Sequence, residues 1–415
     1  MKKIQLVVLI CVFFVVSCFG VVQRTLSDLP DNLKTPAVLA EELTQGKKGD
    51  KEKCWAIFEW ITHNIAYDVE SYFNNSYGSQ KPGNVLKTGR SVCSGFANLF
   101  TEMANAVGVE VVTINGYGKG YGYRTGDPIK ENETNHAWNA VKIDGEWRLI
   151  DSTWGGGHVD GNQQYVFNFD PFYFCTPPQQ FIYSHFPEDP NWQLLDLPKT
   201  LKEFTDLPDV SPSFFQHHIE PVNTSKGCLN AKMQLTLRFR TPETVFLRAY
   251  LTDSTGREYR DLTLTQSEND ETVVYMNFHQ KGKYFLNIFS RQKEEESSAQ
   301  RQYTSTLAMT YAINVTECDP LLPVFPETTG TFDEEKVQLV QPKNKYLNAD
   351  NYQTFRVAVP KAIDVCIIQD GKWHHLEKRN GRFEGKIFIK NGSVKLMAQF
   401  DNDITYWQLA EYIGR

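Results

Sequence analysis

Asn135-His136-Ala137-Trp138-Asn139-Ala140-Val141-Lys142-Ile143-Asp144-Gly145-Glu146-Trp147-Arg148-Leu149-Ile150-Asp151 is the stretch whose reading decides the fold. It reads as two strands, His136 to Ile143 and Glu146 to Ser152, joined by Asp144-Gly145. Asp-Gly is a strong signal for a two-residue hairpin turn. In that register Ile143 faces Glu146, Trp138 faces Asp151, and His136 faces Thr153. His136 and Asp151 then share one face as diagonal neighbours, with Cα atoms about 7–8 Å apart, within reach of a carboxylate–imidazole bond. A three-residue loop would put them on opposite faces.

Upstream, Gly89-Arg90-Ser91-Val92 leads into a helix that begins at Cys93. Phe96, Leu99, Phe100, Met103 and Val107 share one helical face, and Gly108 closes the element. A cysteine at a helix start meets unsatisfied backbone N–H groups and the positive end of the helix dipole, which favour a thiolate. The same N–H groups can stabilise an oxyanion. These positions predict a thiol triad: Cys93 as nucleophile, His136 as proton shuttle, Asp151 fixing the imidazole tautomer. The spacing alone also fits a buried histidine satisfied by a carboxylate beside an unrelated cysteine.

Two further helices precede this core. Thr35 as N-cap with Pro36 at the first helical position opens one that runs to about Gly46. Cys54, Ile57, Phe58, Ile61 and Ile65 give the buried stripe of another from about Asp50, flanked by Trp55 and Trp60 as packing aromatics. Gly116 to Tyr123, glycine- and tyrosine-rich, reads either as a lid over the thiol or as a flexible connection. Beyond Gly155-Gly156-Gly157 an aromatic, proline-rich stretch to about Leu195 is expected to lack regular structure. From Pro198–Pro212 onward the chain turns to short alternating runs: Met233 to Phe239, Val245 to Leu251, Val273 to Phe278 and Tyr284 to Phe289. After a boundary at Asp319 to Pro326 come Phe355 to Val359, Val365 to Gln369, Gly385 to Ile389 and Val394 to Phe400. Short strands at this spacing predict two immunoglobulin-type sandwiches. The expected architecture is α+β, a mixed core over residues 30–197 followed by all-β domains over 210–320 and 321–415.

The motifs Gly89-Arg90-Ser91-Val92-Cys93-Ser94-Gly95-Phe96-Ala97, Asn135-His136-Ala137-Trp138-Asn139 and Asp144-Gly145-Glu146-Trp147-Arg148-Leu149-Ile150-Asp151-Ser152-Thr153-Trp154-Gly155 resemble the core of the transglutaminase-like superfamily. Ala56 to Asp68 resembles its first helix and following turn. Tyr173-Phe174-Cys175-Thr176-Pro177 and Ser184 to Leu195 resemble the kyphoscoliosis peptidase family of hillarin-like proteins. The resemblance implies a papain-like fold for the core and a cysteine peptidase, deamidase or transglutaminase acting on proteins through a thioester, with the nucleophile, base and orienting acid on Cys93, His136 and Asp151. Members of that family are mostly intracellular and cytoskeleton-associated.

Composition bounds the rest. The 415 residues are 41% hydrophobic and 22% charged with a net charge of −7, which suits a folded protein and argues against a nucleic-acid surface. Protein substrates or partners are expected, with the oligomeric state open. No cofactor motif stands out, and His217-His218 lacks the companions a metal site needs. Lys2, Lys3, the apolar run Ile4 to Val16 and Ser17-Cys18-Phe19-Gly20 read as a cleaved signal peptide over residues 1–20, too short for a transmembrane span. The expectation is a secreted protein, or one lipid-anchored through Cys18 if bacterial. In that setting Cys228–Cys318 is the preferred disulfide, and Asn74, Asn132, Asn223, Asn314 and Asn391 are candidate glycan sites. Asn391-Gly392 reads better as a hairpin turn. The competing function is an extracellular binding or scaffold protein with an idle triad, working through its β domains.

Overall fold

The computed structural model describes residues 35–293, 305–401 and 404–415. The signal-peptide and Cys18 readings lie outside these residues. Two compact units emerge. Among the described residues, one contains residues 35–115 together with His136–Thr176, and the other contains Gly116–Asn135 and the described part of Pro177–Arg415.

In the first unit, α1 (Pro36–Leu43) starts as its sequence demands, with the Thr35 hydroxyl accepting from the Val38 N–H. Helix α2 (Asp50–Asn64) buries Cys54, Ile57, Phe58 and Ile61. The short strand β1 (Ala66–Tyr67) and helices α3 (Val69–Phe73) and α4 (Pro82–Thr88) follow. Gly89 ends α4 in the left-handed region at φ 65°, where a side chain would be strained. Strand β2 (Arg90–Ser91) pairs parallel with β1 and delivers the chain to α5 (Cys93–Ala106). Strands β3 (Val111–Gly118), β4 (His136–Ile143) and β5 (Glu146–Ile150), helix α6 (Ser152–Gly156), hairpin strands β6 (Gly157–Val159) and β7 (Tyr165–Phe167), and β8 (Phe174–Thr176) complete the unit. The main sheet runs β8-β5-β4-β3.

Helix α5 packs on β4 through a core in which Leu99, Phe100, Met103, Ala140 and Val141 are fully buried. Within it lies one polar tie. Asn139, with no exposed surface, donates from Nδ2 to the Ala97 carbonyl (3.1 Å) and the Thr101 hydroxyl (2.9 Å). Breaking those bonds would strand buried polar groups, so the tie fixes how far β4 slides along α5. The stretch after Gly157, expected to lack regular structure, instead supplies β6, β7 and the sheet-edge strand β8, and Ser152 belongs to a helix rather than to β5.

In the second unit Gly116–Gly118, the end of β3, pair antiparallel with β9 (His185–Pro187). The rest of Gly116–Asn135 is neither a free lid nor a slack connection. The buried Thr125 hydroxyl donates to the Thr310 carbonyl (3.0 Å), and Lys119 donates to the Leu207 carbonyl (3.1 Å). Gly126, at φ 82°, lies so close to Cys228 that an added Cβ would sit 2.9 Å from its sulfur.

Two sandwiches of one topology follow. In the first, a sheet ordered Asp209–Val210, Thr306–Val315, Gly282–Gln292, Val245–Asp253, Glu258–Tyr259 gains Cys228–Ala231 parallel to Thr306–Val315. It faces a four-stranded sheet of Glu220–Pro221, Gln234–Arg240, Glu271–Asn277 and Thr263–Glu268. The second repeats this with Glu327–Thr328, Tyr406–Gly414, Gly392–Phe400, Ala362–Gln369 and Lys372–His375, Tyr346–Leu347 joining in parallel. Its partner sheet is Gln338–Gln341, Asn351–Ala358, Arg382–Ile389 and Glu377–Arg379. Asn391-Gly392 is not the hairpin turn its sequence suggested: Arg382–Ile389 pairs in the four-stranded sheet and Gly392–Phe400 in the other, so the turn carries the chain from one sheet to its partner.

The sandwiches share core and charge. Leu264 of the first is packed into the hydrophobic core of the second. Arg291 pairs with Glu334 (2.7 Å), and Arg248 pairs with Asp333 (2.6 Å), whose carboxyl burial pushes up to about 6 against the pull of the guanidinium. The preferred disulfide is not formed: Cys228 and Cys318 are both free. Cys228 sits opposite Ala312, and the strand runs on to Val315, about 10 Å further at ~3.3 Å per residue, before Cys318 is reached. A disulfide tolerates Cα separations of only about 7 Å.

The Arg291–Glu334 pair is almost wholly desolvated, with side chains 8% and 10% exposed. Glu334→Ala is therefore expected to lower unfolding free energy by about 3–5 kcal/mol in urea titrations. A loss below about 1 kcal/mol would show that solvent screens the pair.

Candidate active site

Cys93 is the first residue of α5. The preceding Val92 is extended (φ −89°, ψ 175°) and offers no side-chain cap. The first-turn N–H groups of a helix have no intrahelical acceptor, so those at Cys93 are available to the site. The approach is set by β1 and β2: Ala66 N–H donates to Gly89 O (2.9 Å) and Asp68 N–H to Ser91 O (2.8 Å).

His136 opens β4 and is 9% exposed. Its Nε2 bonds Asp151 Oδ2 at 2.7 Å, and the Cys93 thiol lies near enough to favour the charged ring. The ring lies between Trp154 (centroids 5.1 Å, 30° apart) and Trp138 (5.8 Å, 31°), which hold its plane.

Asp151 is fully buried and reaches His136 differently from the expectation. The hairpin register is as read, from Ile143↔Glu146 to Asn139↔Ile150. There the ladder ends. Asp151 leaves the strand to cap α6, Oδ1 accepting from Thr153 N–H (2.7 Å) and Trp154 N–H (3.1 Å), while its own N–H donates to Tyr173 O (3.0 Å). Aspartate is among the best N-cap residues, so an Asp ahead of Ser152-Thr153-Trp154 was the available signal. With Oδ1 spent on the helix and Oδ2 on the imidazole, this carboxylate is built to orient rather than to ligate.

Burial disfavours the charged imidazole, but the Asp151 charge and hydrogen bond outweigh it, with Cys93 adding to the effect. His136 is raised to about 10 from an ordinary 6.5. Elsewhere burial pushes the Cys54 thiol up to about 12, Cys175 to about 11 and Cys366 to about 12. Those three thiols are kept neutral by their burial, while Cys93 stands beside an imidazole whose charged form is favoured.

A group whose folded pKa lies above its unfolded value stabilises the fold below the unfolded value, and that stability fades as pH rises through the folded one. For His136 the window runs from about 6.5 to about 10. His136→Gln should therefore show its largest stability deficit against wild type near pH 6, shrinking towards pH 10 in urea titrations. A deficit that grows with pH would contradict the pairing.

Residues 37–152 match the transglutaminase-like superfamily, and residues 201–326 match the KY-like, immunoglobulin-like domain. Kyphoscoliosis peptidase of Mus musculus is 35% identical over 270 residues, 64% of this chain and 40% of the mouse protein. Hillarin of Drosophila melanogaster is 29% identical over 210 residues, 48% of this chain and 25% of that one. Cytokinesis protein 3 of Schizosaccharomyces pombe is 28% identical over 217 residues, 51% and 24% of the two chains. The chain thus spans well under half the length of these relatives. They are cytoskeletal or intracellular proteins, which overturns the expectation of a secreted or lipid-anchored protein, and the glycan reading that rested on export falls with it. The chain thus carries a transglutaminase-like domain over residues 37–152 and a KY-like, immunoglobulin-like domain over residues 201–326.

Proposed function

We propose that the protein is a thiol acyl-transfer enzyme acting on amide carbonyls of protein substrates, with Cys93 as nucleophile, His136 as acid–base and Asp151 as orienting group. One observation carries this reading: the buried, hydrogen-bonded His136–Asp151 pair stands beside the Cys93 thiol, which opens a helix.

The steps follow from the geometry. The thiol proton passes to His136, and the sulfur adds to the substrate carbonyl while the carbonyl π pair moves to oxygen. The imidazolium so formed, its charge favoured by Asp151, is the acid that protonates the departing amine or ammonia. Collapse leaves a thioester on Cys93. Water or a second amine then attacks, giving up its proton to His136, and the thiol is restored. Peptidase, deamidase and crosslinking chemistry share these steps and differ in what leaves and what attacks. Kyphoscoliosis peptidase is named for the first of them.

Alkylation by iodoacetamide at about pH 7, mapped by mass spectrometry, tests the assignment. Cys93 should label at least ~10-fold faster than Cys54, Cys175 or Cys366, and His136→Ala should slow it by about 10²-fold, the low end of general acid–base contributions. With casein and a fluorescent primary amine, Cys93→Ala should abolish both incorporation and hydrolysis. Labelling of Cys93 that is indifferent to His136 would sink the proposal.

A further inference from the structure

The outer face of the second sandwich carries an aromatic and acidic cluster that the thiol chemistry does not use. Asp364 lies on the strand Ala362–Gln369, Trp373 and His375 on the edge strand Lys372–His375, and Tyr406 at the start of Tyr406–Gly414. The register sets His375 opposite Cys366 and Trp373 opposite Ile368, so Asp364, Trp373 and His375 rise from one face. Asp364 stands opposite Gln399, and Gln399 opposite Tyr406. The tyrosine therefore reaches over an intervening strand to join the other three.

Asp364 ties the cluster together. His375 Nδ1 (2.6 Å) and the Tyr406 hydroxyl both bond its Oδ2, and among the described residues its Oδ1 has no hydrogen-bonding partner. The Trp373 and His375 rings are nearly parallel, 24° apart, with centroids 6.5 Å from each other. Tyr406 stands across both, at 80° to Trp373 (4.8 Å) and 72° to His375 (6.4 Å). Two walls and an end are thus built around a carboxylate. Nothing in the fold closes them over: Trp373 is 48% exposed and the His375 side chain 56%. A tryptophan fixed in place with half its surface in water is the type of residue that anchors an interface.

Two aromatic faces clasp a planar group when they stand about 7 Å apart, twice the ~3.5 Å contact distance between carbons. The spacing of Trp373 and His375 is close to this. Their π faces attract cations, and the unpartnered carboxylate oxygen calls for a positively charged donor. A guanidinium is flat, carries donors along its edge and is weakly hydrated, whereas an ammonium is compact and strongly hydrated.

We propose that this cluster is a binding site for an arginine side chain of a partner protein, the guanidinium stacked between Trp373 and His375 and donating to Asp364 Oδ1. The site is independent of the acyl-transfer reading.

Fluorine NMR of the full chain labelled with 5-fluorotryptophan tests the assignment. Of the eight tryptophans, Trp373 gives the signal missing from Trp373→Phe. Nα-acetyl-arginine methylamide should move that signal along a saturating curve with a Kd of about 1–10 mM. The lysine analogue should bind at least about fivefold more weakly. Asp364→Asn should weaken arginine binding by about tenfold, the loss of one charge-assisted bond, with the other tryptophan signals unmoved as the sign of an intact fold. The wild-type comparison of arginine with lysine decides the matter even if Asp364→Asn disturbs the fold. A Trp373 signal that arginine leaves in place would overturn the proposal, and so would equal responses to arginine and lysine. Tighter binding of acetyl-hexaproline, indifferent to Asp364→Asn, would overturn it in favour of a groove for extended proline-rich peptides.

Discussion

The hydrogen bond between His136 and Asp151 is the constraint around which the first unit is organised. A 2.7 Å contact between two groups with almost no exposed surface is tolerable only if the remaining polar atoms are satisfied. The chain arranges this by ending β5 one residue early and spending the second Asp151 oxygen on the first N–H groups of α6. Helix α6 therefore exists to complete a carboxylate, and the carboxylate exists in that place to hold an imidazole. Trp154, delivered by the same short helix, then covers one side of the ring.

The remaining alignment comes from neighbouring ties rather than from the pair itself. Asn139 locks β4 to α5, so the strand that begins with His136 cannot shift along the helix that begins with Cys93. On the other side of His136, the Asn135 side chain brackets Gly118, accepting from its N–H (2.7 Å) and donating to its carbonyl (3.1 Å). The segment ending in Asn135 is itself bonded to the first sandwich through Thr125 and Thr310. Within the second unit, the segment that ends at Asn135 is thus held by the first sandwich.

Much of the core was legible because its elements are written locally. Thr35-Pro36, the apolar stripe of α2 and the Asp144-Gly145 turn each specify conformation within a few residues, and the turn alone set the register of β4 on β5. Elements that depend on distant partners were not legible. Helix α6 is five residues long and glycine-rich, with poor intrinsic propensity, and forms because Asp151 caps it. Thr263–Glu268 reads as a polar segment, yet it is a buried strand because Leu264 enters the second sandwich's core and Gln266 bonds Leu339. Cys175, at φ 58°, lies where the β5–β8 register shifts, a conformation no local pattern announces. The disulfide expectation failed because counting cysteines carries no information about separation along paired strands.

The most direct test is a nuclear magnetic resonance titration of the protein labelled with nitrogen-15 at histidine, following the two ring nitrogens of His136. The account predicts that both stay protonated through neutral pH and that the ring titrates near 10, far above its ordinary value. A neutral ring at pH 7.5, with a midpoint near 6.5, would mean that Asp151 does not hold the imidazolium. The thiol site would then lack the acid on which the proposed chemistry depends.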